Sequence, residues 1–244
     1  KINNYVFKNP EFVVNNTINT IKHITKKIKH NNDNDNSNKV LTILKAKTGK
    51  FYHIDEQGDY WCAFLFIENA YTVDFVDRIE QAYEAAKKFG RFINYLIDDD
   101  INKYKLTISD FHNPYKRLNL LRRTINDDTC NRVKHSLKEI NEVFKCLHII
   151  EKYKDLLKNK LLPIRITHND TKINNVMFNK KNNKGMVVID LDTVMPGSVI
   201  YDFGDMVRTF SCPASEDEEN LSRVFLKIDF FDAIAKGYLG ELSS

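Results

Sequence analysis

The stretch His168-Asn169-Asp170-Thr171-Lys172-Ile173-Asn174-Asn175 is polar throughout except for Ile173. Ile164-Arg165-Ile166 precedes it and Val176-Met177-Phe178 follows. A turn rich in Asn, Lys and Gly occupies 179–185, and Met186-Val187-Val188-Ile189 then delivers Asp190-Leu191-Asp192. Short apolar runs bounded by turn residues read as strands. The pattern therefore predicts a strand, a polar loop and a hairpin. Because a hairpin returns the chain to its start, Asn175 and Asp190 are expected side by side at its open end. Loop positions held by a rigid scaffold are where chemistry tends to sit.

These side chains suit phosphoryl transfer. That reaction asks for a carboxylate to take the proton of an attacking hydroxyl, oxygen ligands for Mg²⁺, and a cation beside the transferring group. Asp170 can be the carboxylate and Lys172 the cation. Mg²⁺ is a hard ion that prefers oxygen, which Asn175 and Asp190 supply. His168, Asp170 and Asn175 also match the spacing of the kinase catalytic loop H-R-D-x-x-x-x-N, with Asn169 in place of the arginine. Asp and Asn are common turn residues as well, and a histidine here can serve packing alone. The weight lies in the order of all the pieces. Asp202-Phe203-Gly204 spells a kinase metal motif, but it lies beyond the Pro196-Gly197 turn, so Asp190 is the better placed acid.

Outward from this block, residues 10–29 show helical periodicity, with Pro10 suited to a first turn. The run 31–38 is polar and of low complexity, and reads as a loop. Val40–Lys45, Phe51–Ile54 and Tyr60–Ile67 read as strands of a small sheet. Residues 76–97 and 131–157 read as helices. The change of character near 68–73 suggests a partial N-terminal lobe over 1–68 and a mostly helical lobe over 69–244. The chain has 244 residues, 42% apolar and 29% charged, with a net charge of +4. That is ordinary for a soluble globular protein. Lys26, Lys27 and Lys29, and again Lys154, Lys158 and Lys160, sit where helix dipoles favour cations. There is no basic stripe for nucleic acid and no apolar run long enough for a membrane span. Four scattered cysteines read as reduced, mostly buried thiols of a cytoplasmic protein.

The blocks 168–175, 188–197 (Val-Ile-Asp-Leu-Asp-Thr-Val-Met-Pro-Gly) and 201–205 (Tyr-Asp-Phe-Gly-Asp) resemble the aminoglycoside phosphotransferase and choline kinase superfamily. Within it the chain is most similar to N-acetylhexosamine 1-kinases. Phe89-Gly90-Arg91-Phe92, Phe111-His112-Asn113 with Arg117, and Ile2-Asn3 with Val6-Phe7 extend the likeness. The resemblance implies an α+β, bilobal, protein-kinase-like fold, ATP and Mg²⁺ as cofactors, and a sugar phosphorylated at its anomeric hydroxyl. It implies Asp170 as base, with Lys172 facing the phosphates and His168 shaping the loop. Asn175, Asp190 and Asp192 would surround the metal, and Asp202 would bond back to the catalytic loop. Phe66, Ile67 and Glu68 fall where such kinases hold adenine by backbone groups. His112, Asn113, Arg117 and Arg208 are candidate sugar contacts. The family's phosphate-covering hairpin and its lysine would precede Lys1, and further helices would follow Ser244. A choline- or aminoglycoside-type kinase and a truncated nucleotide-binding pseudokinase are the alternatives. The oligomeric state stays open.

Overall fold

Pro10 opens the first helix, α1 (Pro10–His30), where its fixed φ and missing N–H cost nothing. The computed structural model describes residues 1–30 and 39–242; the polar run 31–38 and the last two serines lie outside the described residues. The chain divides into two units, one formed by Lys1–Ile108 with Ile164–Ser244, the other by Ser109–Pro163. Helices combine with short antiparallel strand pairs, an α+β composition.

In the larger unit, β1 (His53–Ile54) pairs with β2 (Tyr60–Trp61). The expected strand 40–45 is held by a single bridge between Ile43 and Phe64, flanked by bonds from Leu44 N to Ala63 O and from Leu65 N to Thr42 O, each 2.8 Å. Leu41 and Ile43 point into the core, whereas Leu44, Phe64 and Leu65 are exposed. Only one face of this ladder gains by burial, and it stays short. A strand absent from the sequence reading, β3 (Ala70–Tyr71), follows the left-handed Asn69. Two residues are too few to show a period of two.

β4 (Ile164–Thr167) precedes the polar loop, and β5 (Val176–Asn179) and β6 (Gly185–Val188) form the expected hairpin. β3 adds to it as a third strand through Ala70 opposite Asn179 and Tyr71 opposite Phe178. After the hairpin, β7 (Met195–Ser198) returns to pair with β4, with Thr167 opposite Met195. The loop that leaves β4 and the segment that enters β7 therefore lie against each other.

Behind these ladders, α2 (Ile79–Tyr95) buries Ala82, Ala85, Ala86 and Phe89 completely. Its small residues let α7 (Ile228–Leu242) pack closely along it, while α6 (Val199–Phe210) adds Met206 and Phe210 to the same core. The contact is tight at two glycines. A Cβ on Gly237 would stand 2.5 Å from Tyr83 O and 3.0 Å from Lys87 N, and one on Gly90 would stand 2.6 Å from Tyr238 O.

The second unit holds α3 (Pro114–Asp127), α4 (Leu137–Lys145) and α5 (Leu147–Lys158). The single helix expected over 131–157 is broken at Cys146. The His148 ring takes the Lys145 carbonyl at 2.9 Å, and Ile149 N turns to Cys146 O instead. The cysteines also depart from expectation: all are free, but Cys130 and Cys146 are exposed and Cys62 and Cys212 only half-buried. Two of them sit at helix junctions, where little packs over a side chain. Among the described residues no helix is long and apolar enough to cross a membrane.

Gly237→Ala is expected to lower stability by about 1–3 kcal/mol, because the new methyl meets backbone that cannot move aside. Gly240→Ala is the control: nothing lies within 4 Å of its Cβ position, and it should be neutral or stabilising. Urea midpoints measure both, and equal effects would refute the close approach.

Candidate active site

Asp202, at the first turn of α6, is wholly buried and accepts two backbone bonds, from His168 N at 2.9 Å and Asn169 N at 2.8 Å. One turn on, Asp205 accepts Thr171 N at 2.9 Å, and the Thr171 hydroxyl donates to Asp202 O at 2.7 Å. The N-terminal half of the polar loop is thus stitched to α6 by three backbone N–H groups and the Thr171 hydroxyl. Burial holds the Asp202 carboxyl above its usual range, and the two N–H donors oppose that shift. The i, i+3 spacing of Asp202 and Asp205 in a helical stretch is a sequence signal that could have exposed the second anchor.

His168 is fully buried between the rings of Phe89 and Phe92, with centroids 5.2 and 5.8 Å away. Its Nε2 lies 2.9 Å from Ile189 O, and its Nδ1 accepts Asp170 N at 3.3 Å. An imidazole protonated at Nε2 satisfies both contacts. Thr193 adds a bond from its hydroxyl to His168 O at 2.7 Å. The loop bearing Asp170 and the segment bearing Asp190 and Asp192 are therefore joined through two side chains, those of His168 and Thr193.

Asp170 is half-buried. Asn175 Nδ2 donates to its backbone oxygen at 2.8 Å and to its Oδ2 at 3.1 Å. Burial raises the carboxyl's pKa; His168 and Lys172 oppose the rise and Asp205 adds to it. Asn175 itself is buried, and Ile189 N bonds its carbonyl at 2.9 Å, which closes the open end of the hairpin. Asp190 follows in the left-handed region with φ 57°, exposed to solvent. Short polar side chains accept that conformation more readily than most. Asp192 is half-buried, and its pKa is pushed up to about 6, first by burial and then by the charge of Asp190.

The donor set Asn175, Asp190 and Asp192 consists of hard oxygen atoms with mutual repulsion between its two acids. Such a set fits Mg²⁺ and suits a soft or thiophilic ion poorly. Among the described residues there is no group of three or more His, Cys, Asp or Glu side chains that could by itself hold a metal ion. Any protein ligation here would rest on few residues, as is usual for Mg²⁺ bound together with phosphate.

Lys172 lies 3.8 Å from Glu216. Arg208 pairs with Asp205 at 2.7 Å and with Glu216 at 2.5 Å. Lys172, Asn174, Arg208, Cys212, Ser215 and Glu216 line an open cavity of about 520 Å³ next to the polar loop. Phe66 is exposed, and among the described residues the backbone groups of Phe66, Ile67 and Glu68 make no hydrogen bond to other backbone groups. In the second unit, Asn113 caps α3 by accepting Tyr115 N at 3.1 Å and Lys116 N at 3.2 Å. His112 stacks near Phe111, and Arg117 donates to Phe111 O at 3.2 Å.

Residues 51–230 match the model of the family described as Phosphotransferase enzyme family, APH. The match spans both the hairpin and the α6 anchors.

Asp202→Asn should cost on the order of 3 kcal/mol, since an amide supplies only one acceptor oxygen for two buried N–H donors. Denaturant unfolding measures it; an unchanged midpoint would show that the loop is held by other means. Asp192 gives a pH signature. Its folded pKa lies above the ordinary carboxylate value, so its contribution to stability is full below about pH 4 and is lost as the pH rises through about 6. Asp192→Asn should therefore match the wild type near pH 4 and exceed it by on the order of 2 kcal/mol above pH 7, measured without divalent cations. A difference independent of pH would contradict the assignment.

Proposed function

We propose that this chain, which belongs to the phosphotransferase enzyme family, transfers the γ-phosphate of ATP to the anomeric hydroxyl of an N-acetylhexosamine or a related sugar. The observation that carries the reading is the assembly at one hairpin end of Asp170, Asn175 and the Asp190/Asp192 pair, with Asp170 bonded to Asn175. In this reading the protein is bilobal and kinase-like, and the adenine edge meets the backbone of 66–68.

Asp170 orients the acceptor hydroxyl and takes its proton. Burial raises its pKa, which makes the carboxylate a better base than an ordinary exposed one. Asn175 turns its amide N–H₂ to Asp170, which leaves its carbonyl oxygen for a cation. Asp190 and Asp192 supply two further oxygens. When bound, Mg²⁺ would neutralise charge on the phosphates. Lys172 extends from the same loop and supplies a positive charge near the transferring group. The neighbouring cavity has room for a small acceptor.

The acidic run 216–219 does not separate a neutral, hydroxylated acceptor from an ammonium-bearing one. Glu216 is engaged by Arg208 and Lys172, and Glu218 by Arg223 at 3.3 Å. Asp217 and Glu219, in the same run, have no ion pair among the described residues, so turnover across an acceptor panel decides between the two classes.

The test is ADP release by the full-length gene product with ATP and Mg²⁺, offered N-acetylglucosamine, N-acetylgalactosamine, choline and kanamycin. Turnover with an acetylated hexosamine is the expected result; turnover with choline or kanamycin alone would replace the sugar reading. Asp170→Asn should lower kcat by about 10²–10⁴-fold with an unchanged melting temperature. Wild-type turnover in that variant would remove Asp170 from the mechanism.

A further inference from the structure

Two buried asparagines grip three consecutive backbone carbonyls just after the Asp190-Leu191-Asp192 segment. Asn169 Nδ2 donates to Thr193 O at 3.1 Å and to Met195 O at 3.3 Å, besides Thr167 O at 3.1 Å. Asn16, on α1 and fully buried, donates to Val194 O at 2.8 Å and to Lys105 O at 2.7 Å, and its Oδ1 accepts Lys105 N at 3.0 Å. Asn169 Oδ1 accepts the Thr167 hydroxyl at 3.1 Å. Residues 193, 194 and 195 are thereby held from both sides by neutral amides that water does not reach.

The surrounding residues are shaped to this arrangement. Asn169 has φ 66°, a left-handed conformation that brings its side chain back over its own strand. Gly197 makes the space: a Cβ there would lie 2.4 Å from Thr167 Oγ1 and 2.7 Å from Asn169 Oδ1. The general kinase pattern has an arginine at position 169. A guanidinium carries five donors and no acceptor, so it could not receive the Thr167 hydroxyl.

We infer that Asn169 and Asn16 are positioning residues that register the segment carrying Asp190 and Asp192 against Asp170, Asn169 from the catalytic loop and Asn16 from α1. The inference rests on the reading of Asp190 and Asp192 as metal ligands. Asn169 immediately precedes Asp170, so its buried amide adds a tie between the base and the acids to those made through His168 and Thr193. Partners behind metal ligands typically contribute 10–100-fold to affinity or activity. A tie made of neutral groups also needs no covalent charge to assemble it, unlike loops ordered by an arginine and a phosphate.

Asn169→Gly is the informative variant, because glycine tolerates φ 66° and removes only the amide. Hydrogen exchange should show lost protection confined to the amides of residues 192–195. The Mg²⁺ concentration for half-maximal ADP release should rise, and kcat should fall, each by about 10–100-fold, with KM for the sugar little changed. Asn16→Ala should loosen the same four residues. Unchanged exchange at 192–195 in folded Asn169→Gly protein would overturn the inference, and so would lost protection with wild-type Mg²⁺ dependence and kcat. A wild-type protein silent towards every acceptor would count against the proposed function; the exchange result would still decide whether the tie exists.

Discussion

The carboxylate of Asp202 organises the site without facing it. Burying a charge is costly unless it is fully bonded, and Asp202 meets that demand with the N–H groups of His168 and Asn169. Those two donors belong to a loop that leaves β4 and can form no ladder bonds of its own. Each partner thus supplies what the other lacks. Because the bonds are to backbone, they set the path of the loop and do not engage the side chains of Asp170, Lys172 and Asn175.

The apolar frame explains why Asp202 is where it is. α6 is fixed by Met206 and Phe210 in the core, α7 approaches α2 closely through glycines, and the Tyr238 hydroxyl bonds Val199 O at 3.2 Å at the start of α6. On the other side of the loop, Phe89 and Phe92 of α2 enclose His168 and aim its Nε2 at Ile189 O. α2 therefore supports the loop twice, once through an imidazole and once through the helix packed behind it. The acids end at the rim of this frame, Asp190 exposed and Asp192 half-buried. There their repulsion is available for a cation to relieve, as an interior pair's would not be.

The strand, loop and hairpin over 164–192 were legible because their signals are local: apolar runs of four residues, turn residues between them and a functional octet in the loop. α1 and α2 were legible from periodicity. The short β3 and the curtailed ladder at Ile43 were not, because pairing in both is decided by which face finds a core. The break at Cys146 depends on one imidazole taking a carbonyl, which periodicity does not register. The ion pairs of Arg208 with Asp205 and Glu216 join residues whose approach depends on the fold.

By itself the sequence determined the chemical inventory: a carboxylate and a lysine on one loop, an amide at its end, two acids after the next strand, and the family to which that order belongs. Those are properties of residue type and spacing along the chain. The tertiary structure decided how the inventory is held. The bonds of Asp202 to His168 and Asn169, of Thr193 to His168, and of Asn16 to Val194 join residues between 25 and 178 positions apart. No local propensity encodes such pairs; they form because the packed helices leave buried polar groups no other partners.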